Sequence, residues 1–458
     1  GGEIEARLPW RGGWLVRFEA PTVATLFDCA AEIQAIAGVE DAHPNFMLKH
    51  QKRAWVNDPY FSDQWQLHNT GQGGAVDQDM DVPEAWDMTW GDPAVIIAVI
   101  DDGFRMDHEE WSAPGKIAPG QYDFWDGDAD PSPADVDTHG TPVAGIAVAT
   151  ANNGVGMAGI CPSCRLLPLR QGYTEYDHIK AFERAADFGA HVVNNSWGIS
   201  YPSWDVEKAI TNTMHHGRGG LGTLVIFAAG NDDVDVSSIG DISAIAGVLT
   251  VSATDSYGNA TGYTNYGAAV DVAAPVDGNW GVTTTAVGWL GGDWFGDYTS
   301  GFGGTSAAAP MVAGVAGLVF SVNTKFTAQD VFDILVETAH KITYEYDAQG
   351  KNIYLGHGQV NAADAVSLAY EKSPGSQPNP NPPQDPPQPT PPSLPAPPNG
   401  PTRVPEPSAA RAPHAAPRGP IAEGARGRAR PGLLDRAVDV APRLRGPGRR
   451  PGSGCRRR

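Results

Sequence analysis

The chain has 458 residues, 41% of them apolar, and a formal charge of −21, which is enough for two or three domains and a sizeable core. The charge is uneven: residues 402–458 hold fourteen arginines against four acids, a net of +10, which leaves −31 on the rest. A body this acidic excludes nucleic acid as its partner, because phosphate binding needs a basic stripe, and no apolar run of about 18 residues free of polar breaks reads as a membrane-spanning helix.

The chain opens on Gly1 with no basic-then-apolar leader, so any secretion signal is expected to be already removed or left out. Residues 14–20 (WLVRFEA) alternate as a strand, 22–37 read as a helix and VEDAHPNFMLKH as another strand, a small strand-helix-strand unit over residues 1–53. It ends in HQKRAW, a polar, basic stretch suited to cleavage. From about residue 82 apolar strands follow (AVIIAVI, RLLPLR, HVVNNS, TLVIFAA, GVLTVSA), separated by helical stretches around 141–149, 175–188, 204–216 and 306–322. Near-continuous apolar strands alternating with helices predict an α/β fold, a mostly parallel open sheet covered on both faces. This body spans residues 54–372. Half of the 28 residues from Pro374 to Pro401 are proline, so residues 373–401 are expected to form an extended linker of up to ~90 Å at ~3.1 Å per residue. The Arg-rich stretch 402–458 has the composition of a disordered tail.

The cysteines are Cys29, Cys161, Cys164 and Cys455. The C-P-S-C pair lacks the second pair a zinc site would need. A redox pair and a small disulfide both fit the spacing; its place in a short loop entering a strand favours the disulfide, and with it an oxidising, extracellular compartment.

In an open parallel sheet, functional groups gather at the carboxyl ends of the strands. AVIIAVIDDG ends in Asp101 and Asp102, VDTHGTPVAG places His139 at the start of a small-residue helix, and FGGTSAAAP places Ser306 at the mouth of the last apolar helix. Each has an ordinary structural reading as a cap or turn residue. Together they supply a hydroxyl, a neutral imidazole able to take its proton near pH 7, and a carboxylate to hold and compensate that imidazole.

VIDDG, HGTPVAG and GTSAAAP resemble the Asp, His and Ser motifs of the subtilisin-like serine proteases, which run in that chain order. The resemblance spans roughly residues 58–370 and implies a seven-stranded parallel sheet in a three-layer fold and endopeptidase activity through Asp101, His139 and Ser306. It also implies that Asn231, which closes TLVIFAAGN, donates its amide to the oxyanion with the Ser306 N–H; loss of that donor in subtilisin itself costs about 3–4 kcal/mol. Within the family, DDG at Asp101, ANNGVGMAG and GRGGLGTLVIFAAGN resemble the kexin and furin branch. The acidic features that branch uses to cleave after paired basic residues are missing: ISYPSW follows Ser196, Trp197 and Gly198, and the pocket floor counts back to Gly240. Walls from Ser196–Gly198 and Ala228, Ala229 and Gly230 over Gly240 imply a neutral cleft for a large apolar P1 side chain, since an unpaired buried cation is costly; Asp102 is expected to favour a basic P2, and Asp241 beside Gly240 keeps a basic P1 open.

The resemblance further implies a Ca²⁺ held by oxygen ligands from Asp58, Glu110, Thr150, Asn153, Val155 and Met157, with Glu110 where the family has Asp. A second calcium site is not expected, because Tyr201 and Asn265 stand where acids would be needed. AGVEDAHPNF resembles the end of the family's inhibitory propeptide, so the expectation is a zymogen with its own propeptide as inhibitor, peptide or protein substrates, a monomeric state and secretion from a bacterium. Two other classes fit the motifs less well. A catalytically silent peptide-binding scaffold would have lost a triad or oxyanion residue, and none is lost; a nucleotide-binding enzyme would carry a glycine fingerprint after Asp101, and none is present.

Overall fold

The computed structural model describes residues 56–373 except 135, 289–295 and 343, together with 3–7, 14–17, 23–36, 39, 42, 375, 376 and 378. The chain divides into two units, Gly1–Pro391 and Pro392–Arg458, and every described residue lies in the first. Except for Val39 and Ala42, the expected strand over 39–50 lies outside the described residues, as do the linker beyond 378 and the Arg-rich tail.

Near the N-terminus β1 (Glu3–Arg7) pairs antiparallel with β2 (Trp14–Arg17), and α1 (Val23–Gln34) follows. The body begins with the short helix α2 (Val82–Trp86). β3 (Ile96–Asp101), β4 (Tyr122–Asp123), β5 (Arg165–Arg170), β6 (Val192–Asn195), β7 (Leu224–Ala228), β8 (Leu249–Asp255) and β9 (Val270–Asp277) form one sheet in the order β4-β5-β3-β6-β7-β8-β9. All six pairings are parallel. The inner strands are largely apolar because each face meets a layer of helices, with the buried Asn194, Asn195, Thr250 and Ser252 among the exceptions. On β3, Ile97 and Val99 enter one core, while Ile96, Ala98 and Ile100 enter the other, the period-2 alternation of a pleated strand.

α3 (Gly140–Val148) and α6 (Thr305–Val322) cover one face, with α7 (Ala328–Glu337) and α8 (Ala362–Lys372) packed behind. α4 (Glu175–Asp187) and α5 (Trp204–Gly220) cover the other, α5 breaking at Gly217–Gly219. A β-hairpin, β10 (Val282–Thr285) with β11 (Tyr298–Phe302), completes the body.

Among the described residues α6 is the helix long and apolar enough to cross a membrane, and it is a core helix, 89% buried. Its small side chains explain the depth of burial. A Cβ on Gly314 would stand 2.5 Å from Ile160 Cβ, and one on Gly317 3.0 Å from Cys164 Sγ, so the helix can lie close to its neighbours only because those positions are empty. Cys161 and Cys164 form the expected disulfide, buried under α6.

Candidate active site

The acid, the base and the hydroxyl arrive on different elements. Asp101 closes β3, His139 immediately precedes α3, and Ser306 is the second residue of α6. Asp101 is 2% exposed. Its Oδ1 lies 2.8 Å from His139 Nδ1 and accepts the Asp102 N–H at 2.8 Å, while Oδ2 is buried with no hydrogen-bond partner among the described residues. With Nδ1–H donating to that carboxylate, Nε2 is left as the proton acceptor.

The glycine after His139 is dictated by space. A Cβ at Gly140 would sit 2.5 Å from the Gly103 carbonyl oxygen and 2.9 Å from Asp101 Cβ, so any larger residue would separate acid from base. The neighbouring Asp102 acts on the backbone: its Oδ1 accepts the Gly140 N–H at 2.7 Å, and its carboxylate accepts the His139 N–H at 3.1–3.2 Å. It therefore caps the helix that carries the base, and burial followed by the charge of Asp101 holds its carboxyl above the ordinary range. Burial works against protonation of His139, but the charge and hydrogen bond of Asp101, with the charge of Asp102, outweigh it and raise the imidazole above its usual value.

Ser306 is fastened from both sides to the stretch after β6. Pro310 lies inside α6 and has no N–H for the carbonyl four residues earlier. That carbonyl belongs to Ser306, and it accepts the Ser196 hydroxyl at 3.0 Å instead. In return Ser306 Oγ donates to the Ser196 carbonyl at 3.2 Å. No hydrogen bond joins Ser306 to His139 among the described residues, so the hydroxyl must turn from Ser196 to reach the base, as resting sites commonly require.

Asn231 stands beyond β7. Its Oδ1 accepts both the Thr305 N–H (2.9 Å) and the Thr305 hydroxyl (3.1 Å). A backbone N–H can only donate, so this atom is the oxygen and the amide nitrogen is free to face outward. Thr305 Oγ1 in turn accepts the Gly230 N–H at 3.1 Å, and Thr305 is fully buried. Thr305 is a positioning residue that sequence reasoning misses; its place between Gly304 and Ser306 is the only signal. Gly304, at φ +71°, brings the chain within reach of the Asn231 amide, where a Cβ would lie 3.1 Å from Oδ1.

The pocket residues are brought together. Asn195 and Phe227 are partners on β6 and β7, so Ser196–Gly198 and Ala228–Gly230 leave the sheet side by side. Trp197 turns inward: its indole N–H donates to the Ile100 carbonyl at 2.8 Å, and its ring stacks on His178 with centroids 4.8 Å apart. Gly240 is covered by Tyr201, whose N–H donates to the Gly240 carbonyl at 2.7 Å and whose ring a Cβ there would meet at 2.7 Å. The half-buried Asp241 presents Oδ2 to Gly198, 3.1 Å from where a Cβ would stand.

The six candidate calcium residues also converge. Asp58 accepts the N–H groups of Asn152 (2.6 Å) and Asn153 (3.2 Å). Glu110 accepts from Met157 N–H (3.0 Å), the Tyr298 hydroxyl (3.0 Å) and the Asn153 amide (3.2 Å), and Asn153 Oδ1 accepts the Val155 N–H at 3.0 Å. The Glu110 carbonyl accepts the Thr150 hydroxyl at 2.8 Å. Among the described residues no group of three or more His, Cys, Asp or Glu side chains could hold a metal; this set would rely on carbonyl and amide oxygens. It fits a hard cation in kind: Asp58 and Glu110 are both buried, Glu110 forms no ion pair among the described residues, and burial pushes its carboxyl up to about 8.

Buried acid, imidazole, helix-start hydroxyl and seven-stranded parallel sheet together define a subtilisin-like fold. The chain belongs to the subtilase family, Peptidase_S8, whose profile matches residues 92–365. It is 32% identical over 402 residues to a calcium-dependent protease of Nostoc sp., covering 80% of this chain and 59% of that protein, so it spans about 59% of the length of the calcium-dependent proteases it matches. Thermitase of Thermoactinomyces vulgaris is 33% identical over 315 residues, covering 68% of this chain and 98% of thermitase. Among solved structures, a protease from Pseudoalteromonas arctica superposes with a TM-score of 0.57 at 29% identity, covering 69% of this chain and 99% of its own.

One carboxylate bonded to the imidazole and a second close enough for its charge to act on it give a pH signature. An imidazolium cannot accept the serine proton, so the acid limb of kcat/KM should lie above the ordinary histidine value of about 6.5. Asp102→Asn keeps an acceptor for the two N–H groups and removes one charge; the limb should move to lower pH by about half to one unit, read from a pH profile of kcat/KM.

Proposed function

We propose that the chain is a secreted, calcium-stabilised serine endopeptidase made as a zymogen. The observation that carries this reading is the buried Asp101–His139 bond, together with a helix-start serine whose neighbour Thr305 holds the Asn231 amide. In the proposed reaction Ser306 Oγ turns from Ser196, passes its proton to His139 Nε2 and attacks the scissile carbonyl. The developing oxyanion is received by Asn231 Nδ2 and the Ser306 N–H, where the start of α6 also favours negative charge. His139 returns the proton to the leaving amine, and water then attacks the acyl-enzyme by the same route.

The buried disulfide supports an oxidising compartment, and the β1–β2–α1 segment supports a propeptide over residues 1–53. Substrates are peptides or proteins, taken by a monomer, with a large apolar residue at P1 between the Ala228–Gly230 and Ser196–Gly198 walls. Asp102, half-buried at the cleft edge, is the group that would favour a basic P2. One observation favours a second reading of P1: the Asp241 carboxylate against Gly198 could receive Lys or Arg. A peptide library separates the two. The leading reading expects P1 Phe, Tyr, Leu and Met ahead of Arg, with Asp241→Asn changing little and Ser306→Ala hydrolysing nothing. A dominant P1 Arg that falls about tenfold or more in Asp241→Asn establishes the second reading, and hydrolysis that survives Ser306→Ala sinks the nucleophile assignment.

Asp58, Glu110, Thr150, Asn153, Val155 and Met157 are the residues that would hold Ca²⁺, which when bound would neutralise the two buried carboxylates and tie the 150–157 loop to the segment after β3. Calcium at about a hundred times its Kd adds about 2.7 kcal/mol, which for a body of this size is about 4 °C in Tm. Chelator should lower Tm by that order and added calcium restore it; an unchanged Tm contradicts the site.

A further inference from the structure

Arg170 closes β5, in register with Asp101 at the end of β3. A strand-end arginine ordinarily reaches solvent, yet this one is 5% exposed and its guanidinium is almost entirely engaged. Nε donates to the Asp102 carbonyl at 2.9 Å and to Asp137 Oδ2 at 3.1 Å; Nη2 donates to Asp137 Oδ2 at 2.7 Å; Nη1 donates to Asp123 Oδ2 at 2.6 Å and Asp126 Oδ2 at 3.1 Å. Asp123 and Asp137 are themselves buried.

The partners are adjacent to the reacting groups rather than scattered. Asp102 is the next residue after the buried acid. Asp137 is two residues before the base, and its Oδ2 also accepts the Ala134 N–H at 3.0 Å. Asp123 and Asp126 begin the stretch from β4 to His139, which among the described residues contains no helix or strand. Within that stretch the hydrogen bonds are mostly local turns, such as Trp125 and Asp126 N–H to Asp123 Oδ1 and Asp130 N–H to Asp128 Oδ1, and the guanidinium adds side-chain ties from both of its ends to the strand that ends beside Asp101. A lysine would supply the charge but not the planar fork that reaches a carbonyl and two carboxylates at once.

We propose that Arg170 is a positioning residue of the catalytic pair, its guanidinium setting the separation and angle at which Asp101 meets His139. This rests on the endopeptidase reading and names the part of the framework that makes it work. The pair lies on two segments with no covalent reason to stay at 2.8 Å, and a misplacement of about 1 Å in such a constellation costs up to about a hundredfold in rate.

The test compares the parent chain with Arg170→Lys and Asp137→Ala, counting functional sites by titration with a fluorophosphonate so that misfolded molecules do not enter the rate. Asp137→Ala removes the guanidinium's link to the His139 segment, and with it the acceptor of the Ala134 N–H, while leaving Arg170 its bonds to Asp123 and Asp102, so it covers the case in which the arginine variant fails to fold. Expected is a ten- to hundredfold fall in kcat per titrated site in both variants with KM within about twofold, and a double variant no worse than the poorer single one, because both act through one linkage. Normal kcat per titrated site, even with fewer sites, makes Arg170 a stability residue only and overturns the proposal. A parent that hydrolyses no peptide removes the endopeptidase reading and this inference together, whereas an active parent with unchanged variants removes the inference alone.

Discussion

A carboxylate buried at the end of a β-strand governs this structure. Asp101 has almost no water, one oxygen with two donors and another with none among the described residues. Such a group is costly unless something nearby can become positive. The imidazole of His139 is that group, and its neighbourhood is arranged to keep it there: the missing side chain at Gly140 lets the two segments touch, Asp102 anchors the two N–H groups beside the base, and Arg170 holds the Asp102 carbonyl and Asp137. The acid that stabilises a protonated base is thereby part of the fold, present before any substrate arrives.

Ser306, the proposed nucleophile, is placed by a different device. A proline in the second turn of α6 removes one backbone donor, and Ser196 fills the gap with its hydroxyl while receiving the Ser306 hydroxyl on its own carbonyl. The reciprocal pair connects the helix that carries the nucleophile to the wall along which a substrate would lie. Thr305, one residue earlier, binds the Asn231 amide oxygen and the Gly230 N–H, orienting the amide nitrogen. Adjacent residues on one helix therefore orient Ser306 and the Asn231 amide, the proposed nucleophile and oxyanion donor, so a shift of α6 would move both together.

Much of this is legible in the sequence, for identifiable reasons. The five inner strands are readable because burial on both faces leaves short, mostly apolar runs. β4 has only two residues, too few for a pattern, and β9 at the sheet edge reads as an ordinary mixed segment. α7 is absent from the sequence expectations although Thr327 and Asp330 form a capping box, a signal that pattern reading could have used. Asp101, His139, Ser306 and Asn231 stand out because each borders an apolar run with a reactive group inside a motif string. Arg170 ends an apolar run too but, like Thr305, has its importance in contacts with residues distant in sequence. The Gly240 position is readable by counting, but its cover by Tyr201 depends on a bridge between Ser200 and Asp241 that no local pattern announces.

The central claim is that Ser306 is the nucleophile and that His139, held by Asp101, is the base that activates it. Its most direct test is covalent: treat the chain with a fluorophosphonate and locate the adduct by tandem mass spectrometry, in the parent and in His139→Ala. A single adduct on Ser306 is predicted, formed at least about a hundredfold more slowly without the imidazole. An adduct on another residue, or a labelling rate indifferent to His139, would contradict it.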